Sequence, residues 1–527
     1  MPSTELHPVP SFNNLGEIYT NELALTRERP RWASLSSKFS SQYGSPPTHI
    51  VRAPGRVNVL GEHIDYSLFP VLPAAIEQDI IIAVHSSPSS SDHVSIDLSN
   101  VSPVYLAGRL EVSRVQSIQS KNHKIKAGWE RYVEAVISEC LARFGEQIDG
   151  DTADMDIMVS GNVPSGAGLS SSAAFVVGII LAFLVANSLQ ETVSRTEIVD
   201  IAMASEHRLG LNSGGMDQAA SILSKPNSLL HLSFYPSLHA SSLPLPSSLS
   251  LVITNSLAPH ALADSAPERY NLRVVENLCA TRILLHALKI DLGVSPTQQS
   301  GSTGRLWLRE ALEHWGETKH MEESAVYEEL LSRIPQILGK DGRGVTGWTA
   351  EQMVEESGML LEEFRSTFLT FIPIRAERFH LQKRVQHTLE ESLRVCRFTA
   401  LCEDLAGNAN GPGGSNSDAV VQELGQLITA SHHSMKELYD ATVPEVDELQ
   451  ALCLECGALG SRQTGGGWGG AVISLIPAEQ ADSFLAQVRT RYGGFKGLSE
   501  EQLQEAAFVT VPGSGAGIYT LSQGGVF

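Results

Sequence analysis

Pro164-Ser165-Gly166-Ala167-Gly168-Leu169-Ser170-Ser171-Ser172-Ala173-Ala174 decides the fold of this chain through what stands on either side of it. Before it, Met155, Ile157 and Val159 alternate with polar residues, the period-two pattern of a half-buried strand over Asp154 to Ser160. After it, Ala173 to Ala186 is an apolar run of 14 residues. That suits a buried helix and falls short of the roughly 20 residues a bilayer span needs. Strand, glycine-rich turn, helix is the layout of a phosphate cradle. The glycines let the backbone approach closely, and the free N–H groups and positive dipole end of the following helix attract an anion. Serine hydroxyls there can reach phosphate oxygens or Mg²⁺. The stretch has neither the Gly-Lys-Ser/Thr of a Walker A loop nor the G-x-G-x-x-G of a dinucleotide site. Read alone, it also suits a small-residue turn that merely caps a buried helix.

Three further segments add to this reading. Upstream, Arg52-Ala53-Pro54-Gly55-Arg56-Val57-Asn58-Val59-Leu60-Gly61-Glu62-His63-Ile64-Asp65-Tyr66 packs two arginines, two carboxylates and a histidine around a short apolar strand. Carboxylates and an imidazole spaced so closely on a turn can accept hydrogen bonds from vicinal sugar hydroxyls. His63 and Asp65 alone are too few for a metal site, and a solvated charged loop is the plain alternative. Downstream, Glu206-His207-Arg208-Leu209-Gly210 ends one helix, and Gly214-Gly215-Met216-Asp217-Gln218 starts another. Asp217 is either a positioned carboxylate or a helix-start residue complementing the dipole. Near the end, Thr464-Gly465-Gly466-Gly467-Trp468-Gly469-Gly470 precedes a strand at Ala471 to Ile476. Glycine there implies backbone approaching a ligand or a flexible linker, and the strand that follows at once disfavours the linker.

The chain of 527 residues is long enough for two to four domains at roughly 150 residues each. With 38 basic against 59 acidic residues it carries a net charge of −21, a field that repels nucleic acid and anionic membranes. Its 42% hydrophobic and 18% charged residues are those of a globular protein. Met1 to Pro10 contains Glu5 and three prolines where a signal peptide needs a basic end and an apolar run, so a cytoplasmic location is expected. Of six cysteines only Cys453 and Cys456 have C-x-x-C spacing, without the second pair a zinc site needs, so ordinary reduced thiols are expected.

Residues 1 to 45 read as a partly wrapped polar leader with weak helical patterning around Ile18 to Leu25. Val94, Ile96 and Leu98 mark a strand, as does Leu249 to Asn255. Leu272, Val275, Cys279, Ile283 and Ala287 form the stripe of an amphipathic helix. Asp291 to Gly304 and Gly407 to Ser417 read as loops. Alternating strands with separate helical stretches predict an α+β architecture.

Together the four segments resemble the GHMP kinase superfamily and, within it, galactokinases, closest to the fungal yeast type. Gly55-Arg56-Val57-Asn58 followed by Gly61-Glu62-His63-Ile64-Asp65-Tyr66 is similar to the galactokinase sugar signature. Pro164 to Ala174 is similar to the phosphate loop, and Gly465 to Gly470 to the third motif. Val59-Leu60 replaces the commoner Leu-Ile, and Ser67-Leu68 stands where many bacterial members carry Asn-Gly, a change that can reshape the rim of the sugar pocket.

The resemblance implies a two-domain GHMP kinase fold, residues 1–250 and 251–527, with the active site in the cleft between them. It implies MgATP-dependent phosphorylation of the C1 hydroxyl of α-D-galactose at the head of the Leloir pathway. The alternatives are an N-acetylgalactosamine kinase, or a galactose- and ATP-binding sensor that docks on a transcriptional repressor. By the same resemblance, Glu62, His63, Asp65, the Gly214 backbone and Tyr270 bind the sugar. Asp217 is the catalytic carboxylate and Arg56 its charge partner. Pro164, Gly166, Gly168, Ser170, Ser171 and Ser172 cradle the phosphates, and Ser171 and Glu206 contact Mg²⁺. Trp129 and Tyr132 form the adenine platform, a pair that equally suits a core helix.

Overall fold

The structure, a computed structural model, describes residues 7–89, 93–114, 128–148, 152–210, 214–258, 265–290, 305–408 and 417–521. The alternating segments become strands of a seven-stranded sheet: β1 (Ser11–Phe12), β2 (His49–Leu60), β3 (Leu72–Ser87), β4 (His93–Asn100), β5 (Gly108–Ser113) and β6 (Asp154–Gly161), joined by a strand from the far end of the chain. A two-stranded ribbon, β7 (Ser228–Ser233) and β8 (His239–Pro244), follows. A four-stranded antiparallel sheet comprises β9 (Leu249–Asn255), β10 (Gly460–Gln463), β11 (Ala471–Pro477) and β12 (Ala507–Thr510) in the order β10-β11-β9-β12. The last strand, β13 (Gly517–Thr520), returns to the large sheet, whose order is β1-β13-β2-β3-β6-β4-β5. Among the described residues only β4 with β6 and β1 with β13 pair in parallel. The mixed content is the expected α+β arrangement.

The large sheet is covered on both faces, which explains why β3 reads Ile80-Ile81-Ile82-Ala83-Val84 rather than alternating. Ile81 and Ala83 join a core with Trp32, Leu35 and Phe39 of helix α1 (Glu22–Tyr43). Ile82 and Val84 face the core shared by α2 (Glu130–Phe144) and α3 (Ser171–Ala186). In α3 every residue from Ala173 to Val185 is buried, each large side chain contributing about 1.5–3 kcal/mol of hydrophobic stabilisation. Among the described residues no helix is long and apolar enough to cross a membrane.

Helix α1 corrects the expected leader. Its buried stripe is Ala24, Glu28, Trp32, Leu35 and Phe39. Pro30 lies inside the helix, and Glu28 is buried in the stripe, paired with Arg31 and accepting from Asn162 at 3.0 Å. Both features hide the helical period from a pattern search. Trp32 donates to the Tyr19 hydroxyl, which donates to Asp79, and Asp79 also pairs with Arg52 on β2.

Helices α4 (Arg195–Arg208) and α5 (Met216–Leu223) complete the first half. The expected helix is present as α6 (Tyr270–Ala287), but it is not amphipathic: every residue from Asn271 to Thr281 is buried, the polar Arg273, Glu276, Asn277 and Thr281 included, whereas Ala287 of the expected stripe is exposed. Beyond it come α7 (Leu308–Lys319), α8 (Glu323–Ile337), α9 (Ala350–Ser357), α10 (Leu381–Asn408), α11 (Ser417–Glu437) and α12 (Pro444–Glu455). The expected loop at 291–304 lies outside the described residues, as does 409–416 of the second. All six cysteines are free.

Candidate active site

Strand β2 is broken in register between Pro54 and Arg56, and Gly55 sits at the break. A Cβ there would lie 2.7 Å from the Leu169 carbonyl, so glycine is what lets the phosphate-loop stretch rest on the strand. Arg56 then joins three pieces of chain. Its backbone N–H donates to the Leu169 carbonyl at 3.1 Å, its Nη1 to the Gly168 carbonyl at 2.6 Å and its Nε to Asp217 Oδ1 at 2.7 Å. Asp217 is the second residue of α5, and its other oxygen accepts from the Ser170 hydroxyl at 2.6 Å. Both carboxylate oxygens are thus held by different partners, while the side chain stays 29% exposed.

This geometry departs from the expectation for Ser170. Its backbone is left-handed, with φ 59°, and its hydroxyl binds Asp217 instead of facing the cradle. A hydroxyl beside a carboxylate makes the stronger, charge-assisted bond.

The sugar-signature turn leaves β2 at Gly61, φ 103°, where a Cβ would lie 2.9 Å from Val71 Cα. Glu62 is buried and ion-paired with Arg462 of β10, and it accepts from the Gly465 N–H at 3.1 Å. Burial pushes its carboxyl up, with Arg462 and Arg56 opposing. His63 stands among the rings of Tyr439, Tyr270, Trp468 and Tyr66, with centroids 5.2 to 6.0 Å away. Burial first, with His387 and Arg273 adding to it, holds its imidazole well below the usual range, hence neutral. Its Nε2 is buried without a protein partner, and a sugar hydroxyl would satisfy it. Tyr270 opens α6, and burial followed by the charges of Asp65, Asp217, Glu206 and Glu62 raises its phenol. Those four carboxylates therefore share one neighbourhood.

Asp65 packs so tightly on the Gly214 backbone that a Cβ on Gly214 would overlap its carboxylate. Burial first, and the Asp217 charge second, push the Asp65 carboxyl up to about 7. A carboxyl raised in the folded state binds its proton more tightly there than when unfolded, so its ionisation costs stability as pH rises. Between about pH 4 and about pH 7 the parent is expected to lose stability relative to Asp65→Asn. Thermal unfolding of both proteins across that range checks this; parallel curves would contradict it.

A cleft of about 390 Å³ is lined by Trp129, Tyr132 and Phe175 on one side and by Pro164, Ser165, Ser171 and Ser172 on another. Trp129 caps the start of α2 and Tyr132 lies in its first turn. The aromatic pair thus opens onto the phosphate-loop stretch, and its size suits a nucleotide base and ribose. The third motif meets the loop from the other side. A Cβ on Gly465 would overlap the Gly168 carbonyl, and one on Gly470 would lie 2.7 Å from the Ala167 carbonyl. The glycines there serve an approach between two backbones, with Ala471 N–H donating to Ala167 at 2.9 Å. Glu206 is buried near the end of α4 and Ser171 is the first residue of α3. Among the described residues no three His, Cys, Asp or Glu side chains are placed to hold a metal. Mg²⁺ is usually held by substrate phosphates and one or two protein ligands rather than a protein cage.

Comparison with known proteins bears on the family. Residues 37–86 match the model of the galactokinase galactose-binding signature, 131–225 that of the GHMP kinase N-terminal domain and 418–494 that of the GHMP kinase C-terminal domain. A galactokinase of Dictyostelium discoideum is 33% identical over 95% of this chain and 96% of its own. One of Candida parapsilosis is 32% identical over 96% and 97%. The chain belongs to the galactokinase family. A solved galactokinase of Lactococcus lactis, complexed with galactose, shares the fold, with a TM-score of 0.63 at 22% identity over 92% of this chain and 99% of that one. Two residues of this galactokinase's site carried no signal of their own in the sequence. Arg462 sits in a four-residue strand before the glycine run, where a buried cation implies a buried acid, and Tyr439, two residues after the end of α11, reaches the Tyr66 hydroxyl at 2.6 Å.

Proposed function

We propose that this galactokinase-family enzyme transfers the γ-phosphoryl group of ATP to the C1 hydroxyl of α-D-galactose, giving galactose 1-phosphate and ADP. The observation that carries the reading is Asp217, fixed through both oxygens by Arg56 and Ser170 yet open on one side. It lies in the neighbourhood of Glu62 and Asp65 and at the edge of the phosphate-loop stretch.

Glu62, His63, Asp65 and the Gly214 backbone take the sugar hydroxyls, and Tyr270 bounds one face of the sugar. Asp217 accepts or polarises the C1 hydroxyl proton as that oxygen bonds to the γ-phosphorus and the bond to the β-phosphate oxygen breaks. Phosphoryl transfer through a loose transition state depends on positioning and electrostatics. Arg56 supplies both, because one guanidinium spans Asp217 and the Gly168 carbonyl. The N-terminal end of α3 faces anionic phosphate with its free N–H groups. Mg²⁺, held by the nucleotide phosphates with Ser171 and Glu206, would neutralise developing charge. A boundary near residue 250 between two halves follows from the family resemblance, but β9 (Leu249–Asn255) straddles that position and β13 (Gly517–Thr520) returns from the second half to the large sheet.

ADP release measured with galactose, glucose and N-acetylgalactosamine tests the reading. Galactose should give the highest kcat/KM. No sugar-dependent release would overturn it, and preference for N-acetylgalactosamine would reassign the substrate.

The nucleotide side has its own prediction. Stacking of a base on an aromatic ring is worth about 1–3 kcal/mol, so Trp129→Ala should raise KM for ATP about tenfold and leave KM for galactose within twofold. Equal ATP KM in parent and variant would return Trp129 to a packing role.

A further inference from the structure

We propose that Glu391 is a positioning residue of the sugar site, acting through the backbone of Gly61 and Glu62; this rests on the functional reading above. The turn from Gly61 to Ile64 cannot satisfy its own backbone. Gly61 has φ 103° and His63 φ 59°, so the chain leaves the ladder of β2 just where the two sugar-binding side chains begin. Buried N–H groups in such a turn require acceptors from elsewhere. Glu391, nearly three turns into α10 and fully buried, provides one for both: its Oε1 accepts from Gly61 N–H at 2.9 Å and from Glu62 N–H at 3.1 Å.

The carboxylate is itself fixed. Ser431 of α11 donates its hydroxyl to the same oxygen at 2.7 Å, and Arg394 donates Nε to the other at 2.8 Å. Burial alone would raise the Glu391 carboxyl, but Arg394, with His387 and Arg462, holds it down at about 2. One turn earlier on α10, His387 Nε2 lies 3.0 Å from the Glu62 carbonyl, and its Nδ1 lies 2.8 Å from the Ser434 hydroxyl. The peptide groups of Glu62 are thus gripped from α10 on both sides. The carboxylate of Glu62 and the imidazole of His63 inherit their placement from that grip. Nothing in this set lines the nucleotide cleft, so its loss should be felt by the sugar and not by ATP.

The test uses the full chain, with galactose and ATP varied separately in an ADP-release assay, on the parent, Glu391→Gln and Ser431→Ala. Glutamine keeps the shape but loses the charge and turns an amide N–H₂ toward Arg394. The expected result is a galactose KM raised about tenfold in Glu391→Gln and about threefold in Ser431→Ala. KM for ATP should stay within twofold, and kcat should fall by less than KM for galactose rises. A galactose KM within twofold of the parent in both variants would overturn the inference, as would galactose and ATP KM rising together. If Glu391→Gln does not fold, Ser431→Ala decides on the same criterion. Absence of galactose turnover in the parent overturns the functional reading itself and is seen before any variant is measured.

Discussion

Asp217→Asn is expected to lower kcat for galactose by about 10²- to 10⁴-fold, the usual worth of a positioned proton acceptor. Asparagine keeps the volume and can still accept from Arg56 or Ser170 through its single carbonyl oxygen. What it cannot do is hold both donors and take a proton. KM for ATP should change little, because the cleft bounded by Trp129 and Ser172 does not include residue 217. If Asp217 were only a helix-start residue, the loss would be about 1 kcal/mol of stability with turnover largely retained. The two outcomes separate by orders of magnitude in kcat, and turnover within about threefold of the parent would rule out the catalytic role.

Arg462→Met is expected to cost about 3–5 kcal/mol of stability, because it leaves the Glu62 carboxylate buried without its partner. The Arg462 and Glu62 side chains are 0% and 3% exposed, so water cannot compensate. The substitution also removes the donor that holds the Asn58 carbonyl at 3.0 Å. The deficit should shrink as pH falls, since protonation neutralises the stranded carboxylate. Adding Glu62→Gln to Arg462→Met should restore much of the stability while still impairing galactose binding. Calorimetric unfolding of the single and double variants measures this, and a single variant that unfolds with the parent would show that the ion pair carries no weight.

Much of this site is legible in the sequence because its parts are local. The glycine-rich stretch between β6 and α3, the density of charge after Gly55 and the glycines before β11 each reveal themselves within about fifteen residues. Their joint resemblance to one family then assigns roles that spacing alone leaves open. What the sequence hides is contact at a distance. Ser170 reaches Asp217 across 47 positions, Glu62 meets Arg462 across 400, and Gly61 finds Glu391 across 330. No periodicity links such partners. Helix α1 was hidden for a different reason: Pro30 violates helix propensity, and tertiary packing of Trp32, Leu35 and Phe39 overrides it. The glycines of the third motif show a third case. Composition indicates that backbone is approached closely, but only the fold reveals that the approaching group is the carbonyl of another loop.

In the proposed function, Asp217 and the sugar-signature residues present the C1 hydroxyl of galactose to the γ-phosphate of ATP. Its most direct test is phosphorus and carbon NMR of the product formed from galactose labelled with ¹³C at C1. The expected result is a phosphorus signal coupled to the labelled carbon in the α anomer, formed in equal amount to ADP by the parent and reduced by at least a hundredfold in rate by Asp217→Asn. A phosphate attached to any other carbon, or ADP formed without sugar phosphate, would contradict it.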